Sequence, residues 1–442
     1  MTDAPLLSGD YDRDRTEFSA YWVAQRAALD ALPPKAVREP AQQQQATRLL
    51  DATRTARRTF LQRHVATLYR KLTDEHRQLI RLEDMAFAAA EAVPGLCPTR
   101  AQVAQELALA QKHKDGHEID QGLLFNHILA DPQCGIHLCQ AMLLPKPQSQ
   151  ALRAAYARDG RVDLGTARIE RRGAVSVVSM CNPRYLNAED DTTIDAVETA
   201  IDLALLDAAT TVGVLRGGPI DQGKYAGQSV FSTGINLTHL YNGQVSYLWY
   251  LEREMGFINK MYRGLALPNQ LADEIHGETQ EKPWIAAVEK FAIGGGCQYL
   301  LVMDYIIAER GAYLTLPARK EGIIPGAANM RLPRFVGDRI ARQAIMAERR
   351  IDCDSPEGRM ICDEIVAPGA LDAAVMERAA LLANSGVVSA ASNRKSFRIA
   401  HETLDQFRCY MAVYAREQAY CHFSAALISN LERFWDAQNR RM

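Results

Sequence analysis

The chain has no run of about eighteen apolar residues, the length a membrane-crossing helix needs. Its N-terminus, MTDAPLLSGDYDRDRTEF, also lacks the basic-then-apolar pattern of a secretion signal. No membrane partner is expected, and the expected compartment is the cytoplasm. Charge of one sign is missing as well: a net −2 over 442 residues gives no electrostatic case for a nucleic-acid partner. Nine cysteines include no C-x-x-C pair, and Cys134 with Cys139 or Cys353 with Cys362 have no zinc spacing, so reduced buried thiols are expected rather than disulfides. Among ten histidines only His113 and His117 sit four apart. They flank a Lys-Asp-Gly turn signal and read as solvated, so no metal site is expected.

What is present is an ordinary globular composition, 48% hydrophobic and 24% charged, on a chain long enough for two domains or more. Residues 1–160 read as an all-helical domain. Phe18 to Leu32 and Ala41 to Leu72 carry apolar residues at helical spacing, and Thr99 with Gln102 forms a capping-box signal. Leu144 to Ser149 (LPKPQS) reads as a linker. From Gly165 the period changes: TARIERR and AVSVVSMC read as strands with Gly173 at their turn, and Thr192 to Asp207 as a helix. Thr211 to Arg216, Pro283 to Phe291 and Asp304 to Glu309 read as further strands, which predicts α/β architecture for 161–391. Residues 392–442 read as a final helical region.

Within this alternation Trp284 to Asp304 reads WIAAVEKFAIGGGCQYLLVMD, an apolar strand, three glycines and an apolar helix. The glycines let bare backbone N–H groups face a ligand, and those groups open a helix whose positive end suits an anion. A dinucleotide fingerprint would need G-x-G-x-x-G, and a P-loop a Lys after the glycines; neither is present.

A second stretch, VFSTGINL (Val230 to Leu237), follows an apolar strand in the same way. With NPRYLNAE (Asn182 to Glu189), EGIIPGAANMRLPRFVG (Glu321 to Gly337) and AERRID, in that order, it resembles the crotonase (enoyl-CoA hydratase/isomerase) superfamily. The resemblance spans roughly Gly165 to Val366 and implies a spiral of ββα turns, C-terminal assembly helices and a homo-trimer or homo-hexamer.

The resemblance also implies an acyl-CoA site. Two backbone N–H groups, of Ile235 and Gly295, would grip the thioester oxygen of an enolate, each such donor being worth about 3–4 kcal/mol of barrier. Thr233, Gly234, Asn236, Leu237 and Thr238 would frame that loop, and Ile324, Pro325 and Gly326 the facing one. Arg184 would meet the nucleotide end. Gln222, Gly223, Lys224 and Tyr225, in the inserted loop PIDQGKYAGQSV, are candidate CoA contacts, Lys224 reading equally as a solvated loop lysine. Arg398, with Arg394 and Lys395, is a candidate for the 3′-phosphate or else a solvated helix face.

The departures from the family bear on the chemistry. Hydratases carry two catalytic glutamates where this chain has Gln298 and Ala318, so the water-adding machinery is missing. The whole set of features, helical region included, resembles the superfamily's cofactor-independent dioxygenases of aryl-acetyl-CoA in antibiotic-precursor biosynthesis. That implies an enolate that reduces O2 as co-substrate beside apolar residues such as Ile235, Leu237, Ile323, Ile324 and Pro325, with no metal or flavin. Glu189, Arg253 and Gln298 would meet ring hydroxyls. Glu189 also reads as a solvated helix-start acid, and Arg253 as an i,i+4 partner on its helix. The acceptor of the α-proton is Glu189 or a substrate phenolate. The alternatives are another crotonase-type thioesterase, decarboxylase or isomerase, or a non-catalytic acyl-CoA-binding protein.

Overall fold

The computed structural model describes residues 3–270, 274–384 and 387–440. Packing divides the chain into two compact units, one of Met1–Met142, Thr238–Leu251 and Leu404–Met442, the other of Leu143–Leu237 and Glu252–Thr403. This differs from the three consecutive domains, 1–160, 161–391 and 392–442, read from the sequence.

The first unit is helical. Tyr11–Asp30 and Pro40–Leu72 pack through Phe18, Trp22 and Phe60, whose ring centroids are 5.5 Å apart. The capping box at Thr99 is present, Gln102 N donating to Thr99 Oγ1 at 3.3 Å. Ile119–Ala130 is buried on nearly every face, which leaves no polar stripe for the sequence to show. Helix Leu404–His422 packs on it: Asn126 Nδ2 donates to Ala412 O at 2.7 Å, and Ala419 fills the space beside Gly122. The C-terminal helices from Leu404 on therefore share a core with the N-terminal ones rather than standing as a separate region. His117 is buried beside Glu106 at 3.7 Å, a correction to its reading as solvated. Burial lowers its pKa.

The second unit is α/β. Among the described residues, seven strands form one sheet in the order Arg161–Asp163, Ala167–Arg172, Val175–Met180, Val212–Gly217, Trp284–Val288, Tyr305–Glu309, Glu364–Val366, antiparallel over the first three and parallel thereafter. The register aligns Val178, Leu215, Ala286 and Ile306 across four strands, all buried. Both faces are covered, which is why these strands read as continuous apolar runs. Helix Leu371–Asn384 buries Leu371, Val375 and Ala379 against Val212, Val214, Ile285 and Ile307.

After Trp284–Val288 the chain turns at Lys290, φ 61°, and Phe291–Ile293 enters a second, three-stranded sheet with Tyr313–Thr315 and Ile351–Asp352. Helix Gly295–Leu300 follows, completing one strand–strand–helix turn. The stretch Leu144–Ser149, read as a linker, is instead part of this unit: Lys146 N and Ser149 Oγ both donate to Asp202 Oδ2, at 2.7 and 2.8 Å.

Candidate active site

Three loops at the ends of parallel strands build the site. The NPRYLNAE loop leaves strand Val175–Met180 with Leu186 and Asn187 in left-handed conformations, φ 54° and 56°. Asn187 Nδ2 donates to Gly218 O and Val230 O at 3.0 and 2.7 Å, and Ser232 Oγ donates to Asn187 O at 2.9 Å. Thr233 Oγ1 donates to Tyr185 O at 3.0 Å, and Asn236 Nδ2 to Asp190 Oδ2 at 2.9 Å. Thr233 and Asn236 thus lace the first loop to the second.

That lacing fixes the direction of Ile235. Glu189 N donates to Gly234 O at 2.8 Å and Asn236 N donates to Glu189 O at 2.7 Å, a single parallel bridge whose central residue is Ile235. In a parallel bridge the flanking residues make the bonds, so the central N–H faces the other way. The third loop supplies the opposing donor. Gly294 caps helix Gly295–Leu300 with φ 53° and ψ −113°, a turn only glycine takes readily, and its N donates to Thr315 O at 2.8 Å. Gly295 is the first helical residue, so its N–H has no partner within the helix. Neither the Ile235 nor the Gly295 N–H has an acceptor among the described residues. The loops touch: a Cβ on Gly234 would stand 2.6 Å from Gly295 N.

Beneath Gly295 lies a buried polar web centred on Arg253, the last residue of helix Tyr247–Arg253. Its Nε donates to Glu189 Oε2 at 2.6 Å and its Nη2 to Glu189 Oε1 at 3.1 Å, a bidentate pair. Nη2 also donates to Gly295 O at 2.9 Å, while Nη1 donates to Gln298 Oε1 at 2.6 Å and to Glu254 Oε1 at 2.8 Å. The guanidinium lies 4.8 Å over the Tyr299 ring. Burial opposes its charge, but Glu189, Tyr299 and Glu254 together outweigh that and raise its pKa. Burial raises Glu254 against the pull of Arg253 and Arg331. Glu189 is buried, not a solvated helix-start acid, and Arg253 reaches Glu189 across 64 positions rather than an i,i+4 neighbour. The web sets a hard limit at Gly295, where a Cβ would collide with Glu189 Oε1 and stand 2.7 Å from Arg253 Nη2.

The remaining predicted residues fall in different surroundings. A side chain on Gly326, φ 48°, would meet Glu254 and Gln298, so the Ile324–Pro325–Gly326 loop closes on the same web. Ile324 is half-buried and Pro325 buried. Ala318, at the second glutamate's place, is buried at the start of helix Ala318–Glu321. Arg184 is exposed and stacks 5.4 Å from the Tyr185 ring. Gln222, Gly223 and Lys224 are exposed, and Tyr225 packs on Phe291 at 5.5 Å. Leu237 is half-buried; Thr238 belongs to the helical unit, where its carbonyl accepts from Asn242 Nδ2 at 2.8 Å.

Arg398 is a correction. It is not a solvated face but 3% exposed, with Nη1 and Nη2 donating to Glu281 at 2.7 and 2.9 Å. Arg394 pairs with the same carboxylate at 3.0 Å. Sequence reasoning missed Glu254, Tyr299 and Glu321, which lie in this region; Glu321 stands inside a quoted motif, but no spacing marks its carboxyl as buried. Among the described residues no His, Cys, Asp or Glu cluster could hold a metal, and no helix is long and apolar enough to cross a membrane.

The arrangement suits stabilisation of an oxyanion by two amides above a buried, charged floor. The chain resembles known proteins in sequence and fold. The model of the enoyl-CoA hydratase/isomerase family matches residues 170–423. The chain is 42% identical over 436 residues to a (3,5-dihydroxyphenyl)acetyl-CoA 1,2-dioxygenase of Amycolatopsis orientalis, covering 98% of each. It is 29% identical over 213 residues to a short-chain-enoyl-CoA hydratase of Clostridium acetobutylicum, covering 48% of this chain and 72% of that one. A solved enoyl-CoA hydratase from Mycobacterium avium subsp. paratuberculosis shares the fold, with a TM-score of 0.50 at 17% identity over 63% of this chain and 99% of that one. Sequence and fold together make the chain a member of the enoyl-CoA hydratase/isomerase family, the crotonase superfamily.

Proposed function

We propose that the chain is a dioxygenase that converts 3,5-dihydroxyphenylacetyl-CoA and O2 to 3,5-dihydroxyphenylglyoxylate and free CoA, without metal or flavin, in antibiotic-precursor biosynthesis. It is thereby an oxidoreductase, acting in the cytoplasm as a homo-trimer or homo-hexamer. The observation that carries this reading is the pair of unpartnered amides, Ile235 and Gly295, beside Gln298 where a hydratase has glutamate. The likeness to the Amycolatopsis enzyme, which includes the helical unit, supports the substrate.

The thioester oxygen accepts from the Ile235 and Gly295 N–H groups. Loss of an α-proton puts the electron pair into the Cα–C bond and onto that oxygen, where the two amides hold it. The enolate passes one electron to O2 in the space lined by Ile235, Leu237, Ile324 and Pro325, and recombination gives an α-peroxide. The peroxide attacks the thioester carbon and expels CoA thiolate. Cleavage of the O–O bond with loss of the second α-proton then leaves the aryl glyoxylate. Glu189, Arg253 and Gln298 orient the ring hydroxyls, and Arg184, Gln222, Gly223, Lys224, Tyr225, Thr233, Gly234, Asn236 and Gly326 bind or frame the CoA ester.

The test is an oxygen electrode with 3,5-dihydroxyphenylacetyl-CoA and chelator present. Uptake matching CoA release is expected. CoA release without uptake identifies a thioesterase, and neither identifies a binding protein.

A further inference from the structure

One buried carboxyl beside the glycine turns has no task in the chemistry above. Glu321 ends the short helix Ala318–Glu321 and is 7% exposed. Its side chain has no hydrogen bond or ion pair among the described residues. Its Oε1 and Oε2 lie 3.6 and 4.0 Å from the point where a Cβ on Gly294 would stand, and that point is 3.9 Å from Gly234 Cα. The carboxyl therefore faces Gly294, the residue that immediately precedes the Gly295 amide donor and packs near Gly234, which precedes Ile235.

The other charged groups nearby are committed. Glu189 has both oxygens on Arg253, and Glu254 pairs with Arg253 as well. Arg319 and Lys320, on the same short helix, turn to Glu348 at 2.6 Å each. Glu189 as proton acceptor would have to give up a bidentate arginine pair as it neutralises, which a buried guanidinium resists. Glu321 loses no partner on protonation. Burial alone raises it to about 7, where a carboxylate is both present and basic enough to accept a proton at neutral pH.

We propose that Glu321 is the catalytic base that takes the α-proton of the thioester bound at Ile235 and Gly295. The assignment rests on the enolate reading above and supplies the proton acceptor that reading lacks. The step balances: the Cα–H bond breaks, the proton goes to a Glu321 oxygen, and the electron pair goes to the thioester oxygen under the two amides. Glu321 then returns this proton to the departing CoA thiolate, and as carboxylate accepts the second α-proton when the O–O bond breaks.

The test separates deprotonation from oxygen chemistry. Under strict anaerobiosis in D2O, the wild-type protein should exchange the α-hydrogens of 3,5-dihydroxyphenylacetyl-CoA, followed by mass spectrometry. Glu321→Gln should slow exchange at least about a hundredfold, with CoA-ester affinity retained and a melting temperature no lower than that of wild type, and Glu321→Asp should recover part of the rate. Exchange by Glu321→Gln within threefold of wild type would overturn the assignment. If the Gln variant fails to fold, the wild-type pH profile decides: a rise centred near 7 supports Glu321, and a flat profile across that range refutes it. Exchange that depends on Glu321 but is never followed by oxygen uptake would uphold the base and defeat the dioxygenase reading.

Discussion

Two buried arginines of the α/β unit, Arg253 and Arg331, look alike by composition and differ in what they serve. Arg331, 1% exposed, holds Glu402 bidentately at 2.9 and 3.0 Å, and Arg334 joins the same carboxylate at 2.7 Å. Arg263 adds a further contact at 3.4 Å. Burial would raise Glu402, but the arginines outweigh it and hold its pKa at about 2. Every charge in that cluster is answered by another, and Arg331 also reaches Glu254 of the Arg253 web at 3.5 Å. Arg253 spends its donors on Glu189, Glu254 and Gln298 and on the carbonyl of Gly295. Its cluster ends at the backbone whose opposite edge offers a free N–H. A buried ion pair is weak evidence of function; one that props a glycine turn is stronger.

The difference can be broken at several points. Gly295→Ala should have the largest effect, because its Cβ meets Glu189 and Arg253; turnover should fall at least about a hundredfold, the cost of one oxyanion donor. Near-normal oxygen uptake by that variant would remove Gly295 from the site. Next, Arg253→Lys keeps a charge but loses the bidentate fork, so kcat should fall far more than stability. Arg331→Met takes the bidentate partner from Glu402, leaving it Arg334 and Arg263, and should instead cost stability, up to about 3–5 kcal/mol in chemical denaturation, with a smaller loss of kcat than Arg253→Lys.

The pH dependence sharpens the contrast further. Glu402, held at about 2 against 4.5, contributes stability that is complete above about 4.5 and lost as pH falls toward 2. Glu402→Gln should flatten that acid limb. Glu321, raised to about 7, has the opposite sign: its contribution is complete below about 4.5 and lost as pH rises through 7. Glu321→Gln should therefore melt higher than wild type at pH about 8, measured by calorimetry. The smallest effect is expected at the surface. Arg184→Ala should raise KM for the CoA ester severalfold with kcat intact, whereas Arg398→Ala should leave KM alone and lower the melting temperature, since its charge is spent on Glu281.

The sequence reveals the glycine turns because special backbone geometry leaves local marks: VFSTGINL and GGGC stand where a positive φ or a close approach excludes side chains. It conceals partners. Glu189 and Arg253 are 64 positions apart, so nothing local says that one neutralises the other. Arg394 and Arg398 look like an open basic patch until Glu281, 117 positions before Arg398, is found beneath them. Ile119–Ala130, buried almost all round, shows no helical stripe. The LPKPQS stretch carries linker composition, yet Asp202 ties it down.

The central claim is that two amides hold an enolate whose own electrons activate O2. The most direct measurement is turnover of 3,5-dihydroxyphenylacetyl-CoA under 18O2 with chelator present and no flavin added. The glyoxylate product should carry two labelled oxygens per molecule, with one CoA released for each. Product with one labelled oxygen or none, or activity that returns only when a metal is restored, would contradict that claim.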